Sequence, residues 1–199
     1  LNTMLFFTNR GKVYSEKVYQ LPDAGRTDRG ISIQNILALG ADENVTAAVA
    51  VPEFSAGAYC TMATLRGRVK RVTLDAFASV RPSGLIAMGI EPGDELGWVR
   101  LTCGSDDLIL VTARGKALRF NEKSIRPMGR PASGIIGIRL EEGDRVASME
   151  VVRPEADLLI VTERGYGKRT PLKEYPVKSR ATGGMLTIDS KNLDKTGKI

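Results

Sequence analysis

Apolar residues in this chain gather in short β-prone runs bounded by turn formers, and no apolar stripe recurs at the 3.6-residue helical period. The clearest runs are Leu5 to Thr8, Cys60 to Leu65, Leu108 to Thr112 and Leu158 to Thr162. Each leads into an Arg-Gly pair, at Arg10-Gly11, Arg66-Gly67, Arg114-Gly115 and Arg164-Gly165, with spacings of 56, 48 and 50 residues. A second short run follows each pair, as in Lys116-Ala117-Leu118-Arg119-Phe120. Two such runs around a glycine-containing turn predict a hairpin, the glycine supplying the positive φ that the turn demands.

The pattern continues past each hairpin. A second glycine stands at Gly30, Gly84, Gly134 and Gly184, which is 19, 17, 19 and 19 residues after the first. An apolar alternation follows it and predicts a third strand: Ile31-Ser32-Ile33, Leu85-Ile86-Ala87-Met88, Ile135-Ile136-Gly137-Ile138 and Met185-Leu186-Thr187-Ile188. Three repeats then show an acidic turn (Ala41-Asp42-Glu43-Asn44, Pro92-Gly93-Asp94-Glu95, Glu142-Gly143-Asp144-Arg145) and a last strand (Val45 to Val51, Leu96 to Thr102, Val146 to Val152). The fourth repeat breaks off near its acidic turn, in Asp189 to Ile199. Segments such as Glu122 to Arg126 and Leu172 to Glu174 are expected to form a helical turn at most. Units of about fifty residues with four strands are the size of a propeller blade. The prediction is all-β, with blades at 1–51, 52–102, 103–152 and an incomplete 153–199. The chain opens at Leu1, inside an apparent strand and ahead of Met4, and reads as a piece of a longer protein.

Aligning the repeats turns scattered charges into columns. Arginine precedes the first glycine in all four units, at Arg10, Arg66, Arg114 and Arg164. The residue after that glycine is Lys12, Arg68, Lys116 and then Tyr166. Four residues past it stand Ser15, Arg71, Arg119 and Arg169, with Lys168 beside the last. Ahead of the second glycine lie Arg26, Arg81, Arg130 and Arg180, and the joining loops add Lys17, Lys123, Arg126, Lys173 and Lys178. Acids collect elsewhere in sequence: the windows 40–45, 91–96 and 141–146 hold eight of 23 acidic residues and one of 29 basic ones. The other 181 residues carry 28 positive against 15 negative charges, so the net +6 is expected to understate the field on a basic side. An exposed turn needs only some polar residue. Arginine at one position in four of four repeats exceeds that need, and the expectation is a basic rim on which equivalent loops of successive blades line up. Such a rim suits the regularly spaced phosphates of duplex nucleic acid, with arginine forks and lysine point charges on the backbone and no recognition helix for a groove.

Other chemistry finds little material. Histidine is absent, so no Ser-His or Cys-His dyad, His-ligated zinc or histidine base can be built from these residues. Cys60 and Cys103 lack C-x-x-C spacing and are expected to be reduced thiols. No P-loop is present, and Gly165-Tyr166-Gly167 lacks the third glycine and the βαβ context of a dinucleotide fingerprint. The acidic turns do not have the spacing of a calcium loop. No acid falls in an otherwise apolar strand, as a glycoside-hydrolysing carboxylate pair would require. Trp98 is expected to pack, and Tyr166 to be an exposed turn residue. No apolar run approaches the length of a membrane span.

Several stretches carry a family resemblance. They are Phe6-Phe7-Thr8-Asn9-Arg10-Gly11-Lys12-Val13-Tyr14 with Lys17-Val18-Tyr19-Gln20-Leu21-Pro22, then Leu118-Arg119-Phe120, Ser124-Ile125-Arg126-Pro127-Met128-Gly129 and Gly137-Ile138-Arg139-Leu140. The last is Gly165-Tyr166-Gly167-Lys168-Arg169-Thr170, continuing through Glu174-Tyr175-Pro176-Val177-Lys178-Ser179-Arg180-Ala181-Thr182. In order and over essentially the whole length, they resemble the C-terminal domain of the bacterial DNA gyrase A subunit. The resemblance implies a propeller-like β-pinwheel of six blades that exchange a strand with their neighbours. It implies duplex DNA wrapped on a basic perimeter, in support of ATP-dependent negative supercoiling. The implied partners are duplex DNA, the gyrase A N-terminal region and the gyrase B subunit in an A2B2 complex in the cytoplasm, away from membranes. No catalytic residue, metal or cofactor is implied here, because DNA cleavage with its tyrosine and magnesium, and ATP hydrolysis, belong to other domains of the family. The family's basic, glutamine- and glycine-rich box and about two blades have no counterpart in these residues. The equivalent domain of topoisomerase IV stays open as an alternative, though the matches around Tyr166 and Arg180 favour gyrase. Two further alternatives are a protein-interaction propeller, which would need exposed aromatics, and an enzymatic propeller.

Overall fold

The computed structural model describes residues 2–55 and 57–199, the Ser190 side chain apart; Leu1, placed in a strand by the sequence, lies outside them. The first repeat contributes β1 (Thr3–Thr8), β2 (Lys12–Lys17) and β3 (Val45–Val51). The second contributes β4 (Tyr59–Thr64), β5 (Arg68–Thr73), β6 (Leu85–Ile86) and β7 (Leu96–Thr102). The third contributes β8 (Asp107–Thr112), β9 (Lys116–Asn121), β10 (Ile135–Ile136) and β11 (Val146–Val151). The fourth adds β12 (Asp157–Val161), β13 (Gly167–Pro171), β14 (Met185–Leu186) and a single helical turn α1 (Leu193–Thr196). All four expected hairpins form. Short 3-10 turns follow them at Val18–Gln20, Leu74–Phe77, Glu122–Ser124 and Leu172–Glu174.

Within the sheets the strands pair antiparallel, in the orders β3-β1-β2-β6, β7-β4-β5-β10, β11-β8-β9-β14 and β12-β13, and isolated parallel bridges join Arg71 to Pro127, Arg119 to Val177 and Ile138 to Thr182. A sheet is therefore not one repeat. Its fourth strand comes from the repeat that follows: Leu85 pairs with Val13, Ile135 with Val69 and Met185 with Ala117. The first glycine of the first three hairpins is the seat for that exchange. Gly11 sits at φ +73°, and its carbonyl accepts from Ala87 N at 2.8 Å. A Cβ on Gly11 would lie 2.2 Å from Met88 O, so neither the φ nor the space admits a side chain.

One expectation changes. The Ile31-Ser32-Ile33 alternation makes no strand; Ile33–Asn35 forms a 3-10 turn instead. The segment folds over its own sheet. There Ile33, Ile36, Leu37 and Leu39 cover Phe6 and Tyr14. The fourth sheet has two strands among the described residues, and the chain after β14 turns back through α1 so that Ile199 N reaches Ala113 O at 3.0 Å.

The cores lie between successive sheets. Leu5, Phe7 and Val13 meet Cys60, Met62 and Val72; Ala63 and Val69 meet Leu108, Leu110 and Phe120; Ile109 and Val111 meet Leu172 and Tyr175. Period-2 alternation puts one face of each hairpin on each neighbour, and each fully buried Leu or Phe contributes about 1.5–3 kcal/mol. Phe7 and Phe77 add an edge-to-face contact with centroids 5.8 Å apart.

Candidate nucleic-acid interface

The hairpin corners are built alike. A buried threonine ends the first strand (Thr8, Thr64, Thr112), and its hydroxyl accepts from the amide of Lys12, Arg68 or Lys116 at 3.3, 3.1 and 3.2 Å. The strand that closes each repeat pairs with this first strand, which carries the acidic turn back to the same corner. The expected separation of acidic from basic residues is therefore overturned. Arg66 donates from its amide to Asp94 Oδ1 at 2.9 Å and from Nη1 to Pro92 O at 3.3 Å. Arg114 repeats this with Asp144 Oδ1 and Glu142 O, both at 3.0 Å. Arg164 donates from Nη1 to Asp194 O and Lys195 O. Arg10 has no such role. Asn9 takes it, with Asn44 N donating to Asn9 Oδ1 at 2.9 Å, and Arg10 is exposed without a side-chain partner among the described residues.

The next column is paired as well. Lys12 lies 3.7 Å from Glu43, Arg68 lies 3.2 Å from Glu91, and Lys116 pairs with Glu141, whose carboxyl it holds below the usual range. Arg68 also donates to Ser133 O and Gly134 O, each at 3.0 Å. Tyr166 is exposed, as expected. Arg114, Lys116, Arg164 and Lys198 meet Glu141, Glu163 and Asp194 around one open cavity of about 990 Å³, so the third and fourth corners converge but with mixed charge.

Glu43 is 5% exposed. Burial alone would raise its pKa. The Gly40 amide, the Thr8 and Tyr14 hydroxyls and Lys12 outweigh that and hold it below the ordinary value. Burial, with the Glu43 carboxylate, pushes the Tyr14 phenol up to about 12.

In the two remaining columns Arg71, Arg119, Arg130 and Arg180 reach neighbouring repeats. Arg71 is a correction to the expected rim: it is only 6% exposed, lies over the Tyr59 ring at 4.4 Å and pairs with Glu122 at 3.3 Å. Arg119 forks onto Asp107 Oδ2 at 2.7 and 3.0 Å, and Arg169 lies 3.0 Å from Asp157. Arg130 donates to Ala76 O at 3.1 Å, Arg180 to Ser124 O and Ile136 O at 3.1 and 3.0 Å, and Lys168 to Thr187 O at 2.7 Å.

Arg26, Arg81 and Lys178 are exposed with no side-chain partner among the described residues, as are the loop residues Lys123, Arg126 and Lys173. Arg29, Arg139, Arg145 and Arg153 stand outside the columns and are equally exposed and unpartnered. Repetition could not have singled them out. Cys103, Asp106 and Glu122 place ligand-type atoms within 4.8 Å of one another. Glu122 already accepts from Gly104 N, Asp106 N, Thr102 Oγ1 and Arg71 Nη1, so its carboxylate is committed to the fold.

The family model described as DNA gyrase C-terminal domain, beta-propeller, matches four successive segments, residues 2–52, 58–102, 106–153 and 156–199. This chain belongs to that family. The DNA gyrase C-terminal domain family thus accounts for the all-β propeller and for the resemblance seen in the sequence. The DNA gyrase A protein of Salmonella typhimurium is 46% identical over 198 residues, covering 100% of this chain and 22% of the relative. That of Escherichia coli K12 is 49% identical over 185 residues, 93% of this chain and 21% of the relative. The chain thus spans about a fifth of these relatives. Among solved structures, the C-terminal domain of DNA topoisomerase IV superposes with a TM-score of 0.84 at 32% identity, covering 93% of this chain and 58% of that one. The DNA gyrase A C-terminal domain superposes at 0.81 over 99% of this chain and 63% of that one, with 23% identity, a likeness of fold alone.

Proposed function

We propose that this chain binds duplex DNA without sequence preference and wraps it, supporting ATP-dependent negative supercoiling by a parent DNA gyrase. Membership of the gyrase C-terminal family carries this reading. What supports it physically is that the loops after the hairpins present exposed cations with no side-chain partner among the described residues: Arg26, Arg81, Lys123, Arg126, Lys173 and Lys178. Arg10 adds one at the first corner, and the exposed heads of Arg66, Arg164, Lys168 and Arg169 are further contacts. These side chains act on phosphates by displacing counterions and perform no bond chemistry. DNA cleavage with magnesium and ATP hydrolysis fall to the rest of gyrase A and to gyrase B, partners in a cytoplasmic complex.

The reading predicts a steep salt response. If about six phosphates are engaged, the log–log slope of affinity against salt is near −5. A flat response in a duplex titration would exclude it and leave the protein-interaction propeller. The 32% identity to a topoisomerase IV domain sustains a second reading, the equivalent domain of that enzyme. A topology assay on the parent enzyme with and without this region separates the two. Loss of negative supercoiling with relaxation retained identifies gyrase-type wrapping.

A further inference from the structure

Four of the repeated arginines spend their donors on the short 3-10 turns of adjacent repeats. Arg119 holds Asp107 of its own hairpin through Nε and Nη2, and Nη1 reaches across to Leu172 O at 3.1 Å and Tyr175 O at 3.3 Å. Those carbonyls bracket the turn Leu172–Glu174 of the following repeat. Arg71 does the same one repeat earlier. It stacks on Tyr59 of its own repeat and grips Glu122, the first residue of the turn Glu122–Ser124, together with Gly104 O at 3.4 Å. The grip is returned from behind. Arg130 donates to Ala76 O in the turn Leu74–Phe77, and Arg180 to Ser124 O. The main chain adds to this, with Met128 N donating to Arg71 O and Lys178 N to Arg119 O, both at 2.9 Å.

We propose that Arg71, Arg119, Arg130 and Arg180 are positioning residues, which fix neighbouring blades relative to one another and hold the loops bearing Lys123, Arg126, Lys173 and Lys178 on the path of the duplex. The proposal rests on the DNA-wrapping reading for its consequence, and on the geometry above for the clamp itself. Arg119 is a poor phosphate contact because its charge is already neutralised by Asp107. Turning to a phosphate would also strand the Tyr175 carbonyl, while Leu172 O would keep only the Tyr175 amide. Arg169 serves as an internal control. It occupies the matching position of the fourth hairpin and pairs with Asp157, yet it has no carbonyl partner among the described residues and is 77% exposed. The fork is essential to the role: one planar group satisfies a carboxylate and two carbonyls at fixed angles, which an ammonium cannot.

The test compares Arg119→Lys, Arg119→Gln and Arg180→Lys with Lys178→Gln. Binding to a short duplex is titrated against salt, and the bend is read by energy transfer between dyes at the duplex ends. The clamp predicts that Arg119→Lys, although it keeps the charge, lowers the bend and the melting temperature as Arg119→Gln does, while the salt slope stays within about 0.3 of the parent. Lys178→Gln should instead make the slope shallower by about 0.9 and leave melting unchanged. The proposal is overturned if Arg119→Gln makes the slope shallower by about one while bend and melting are kept, or if Arg119→Lys behaves as the parent throughout. If the parent chain shows no salt-dependent duplex binding, the wrapping reading fails on its own. The clamp is then judged by amide exchange at Leu172–Glu174, which Arg119→Lys and Arg180→Lys should speed, each in the turn its arginine grips (Arg180 at Glu122–Ser124). Unchanged protection in both would sink it.

Discussion

Lys70 is completely buried, and its ammonium donates to Ala87 O at 2.8 Å and to Arg130 O. Burial pulls its pKa down to about 8, below the ~10.4 of an unfolded lysine, so between those values the unfolded chain binds more protons and stability rises with pH. Cys60 acts in the opposite sense: burial pushes its thiol up to about 12, and the fold loses stability above about pH 9. The difference in urea unfolding between the parent and Lys70→Met isolates the lysine. It should climb in favour of the parent from about pH 8 to about pH 10 and be flat below about pH 7; a flat difference throughout would contradict the buried charge. At the acid end, the depressed carboxyl of Glu43 contributes stability above about pH 4.3 that is lost as pH falls through its folded value. Glu43→Gln should remove part of that acid dependence and cost about 1–3 kcal/mol at neutral pH, measured by denaturant unfolding. At this scale the sequence displays the arginine columns but not their partners. Arg66 and Asp94 stand 28 residues apart, and only the pairing of β7 with β4 brings them together.

Strand exchange makes a testable distinction between glycines that look alike in sequence. Gly11 and Gly165 both close a hairpin turn at positive φ, so alanine at either costs about 1–2 kcal/mol in backbone strain. At Gly11 the new Cβ would also strike Met88 O, whereas at Gly165 it meets nothing within 4 Å. Gly11→Ala should therefore lower the urea midpoint markedly more than Gly165→Ala and expose the amides of β6. Equal midpoints would mean that the exchange contributes little. The hairpins were legible because alternation and an Arg-Gly turn are local signals. The two-residue strands β6, β10 and β14 were legible as apolar alternation, but the sheet each joins is settled by a neighbouring repeat. Ile31-Ser32-Ile33 carries the same alternation and makes no strand, because alternation specifies a face and not a partner.

Across the whole molecule, Glu91 and Glu141 hold Arg68 and Lys116 at the hairpin corners and so limit the cation available to a polyanion. Glu91→Gln with Glu141→Gln should raise duplex affinity at fixed salt and steepen the log–log slope by up to about 2, as each released cation finds a phosphate. Unchanged affinity and slope would place those corners away from the DNA path. Charge counted along the sequence could not anticipate this, since residues remote in sequence share one corner. Because every exchanged strand lies in the sheet before its own repeat, the chain is stitched rather than stacked. In a plain solenoid an end unit can peel away and leave its neighbours whole. Here peeling the third repeat would tear β10 out of the second sheet, and a backbone nick between β6 and β7 would leave both pieces laced together. Unravelling by single units is barred, and denaturation should run through the interlaced sheets in one step.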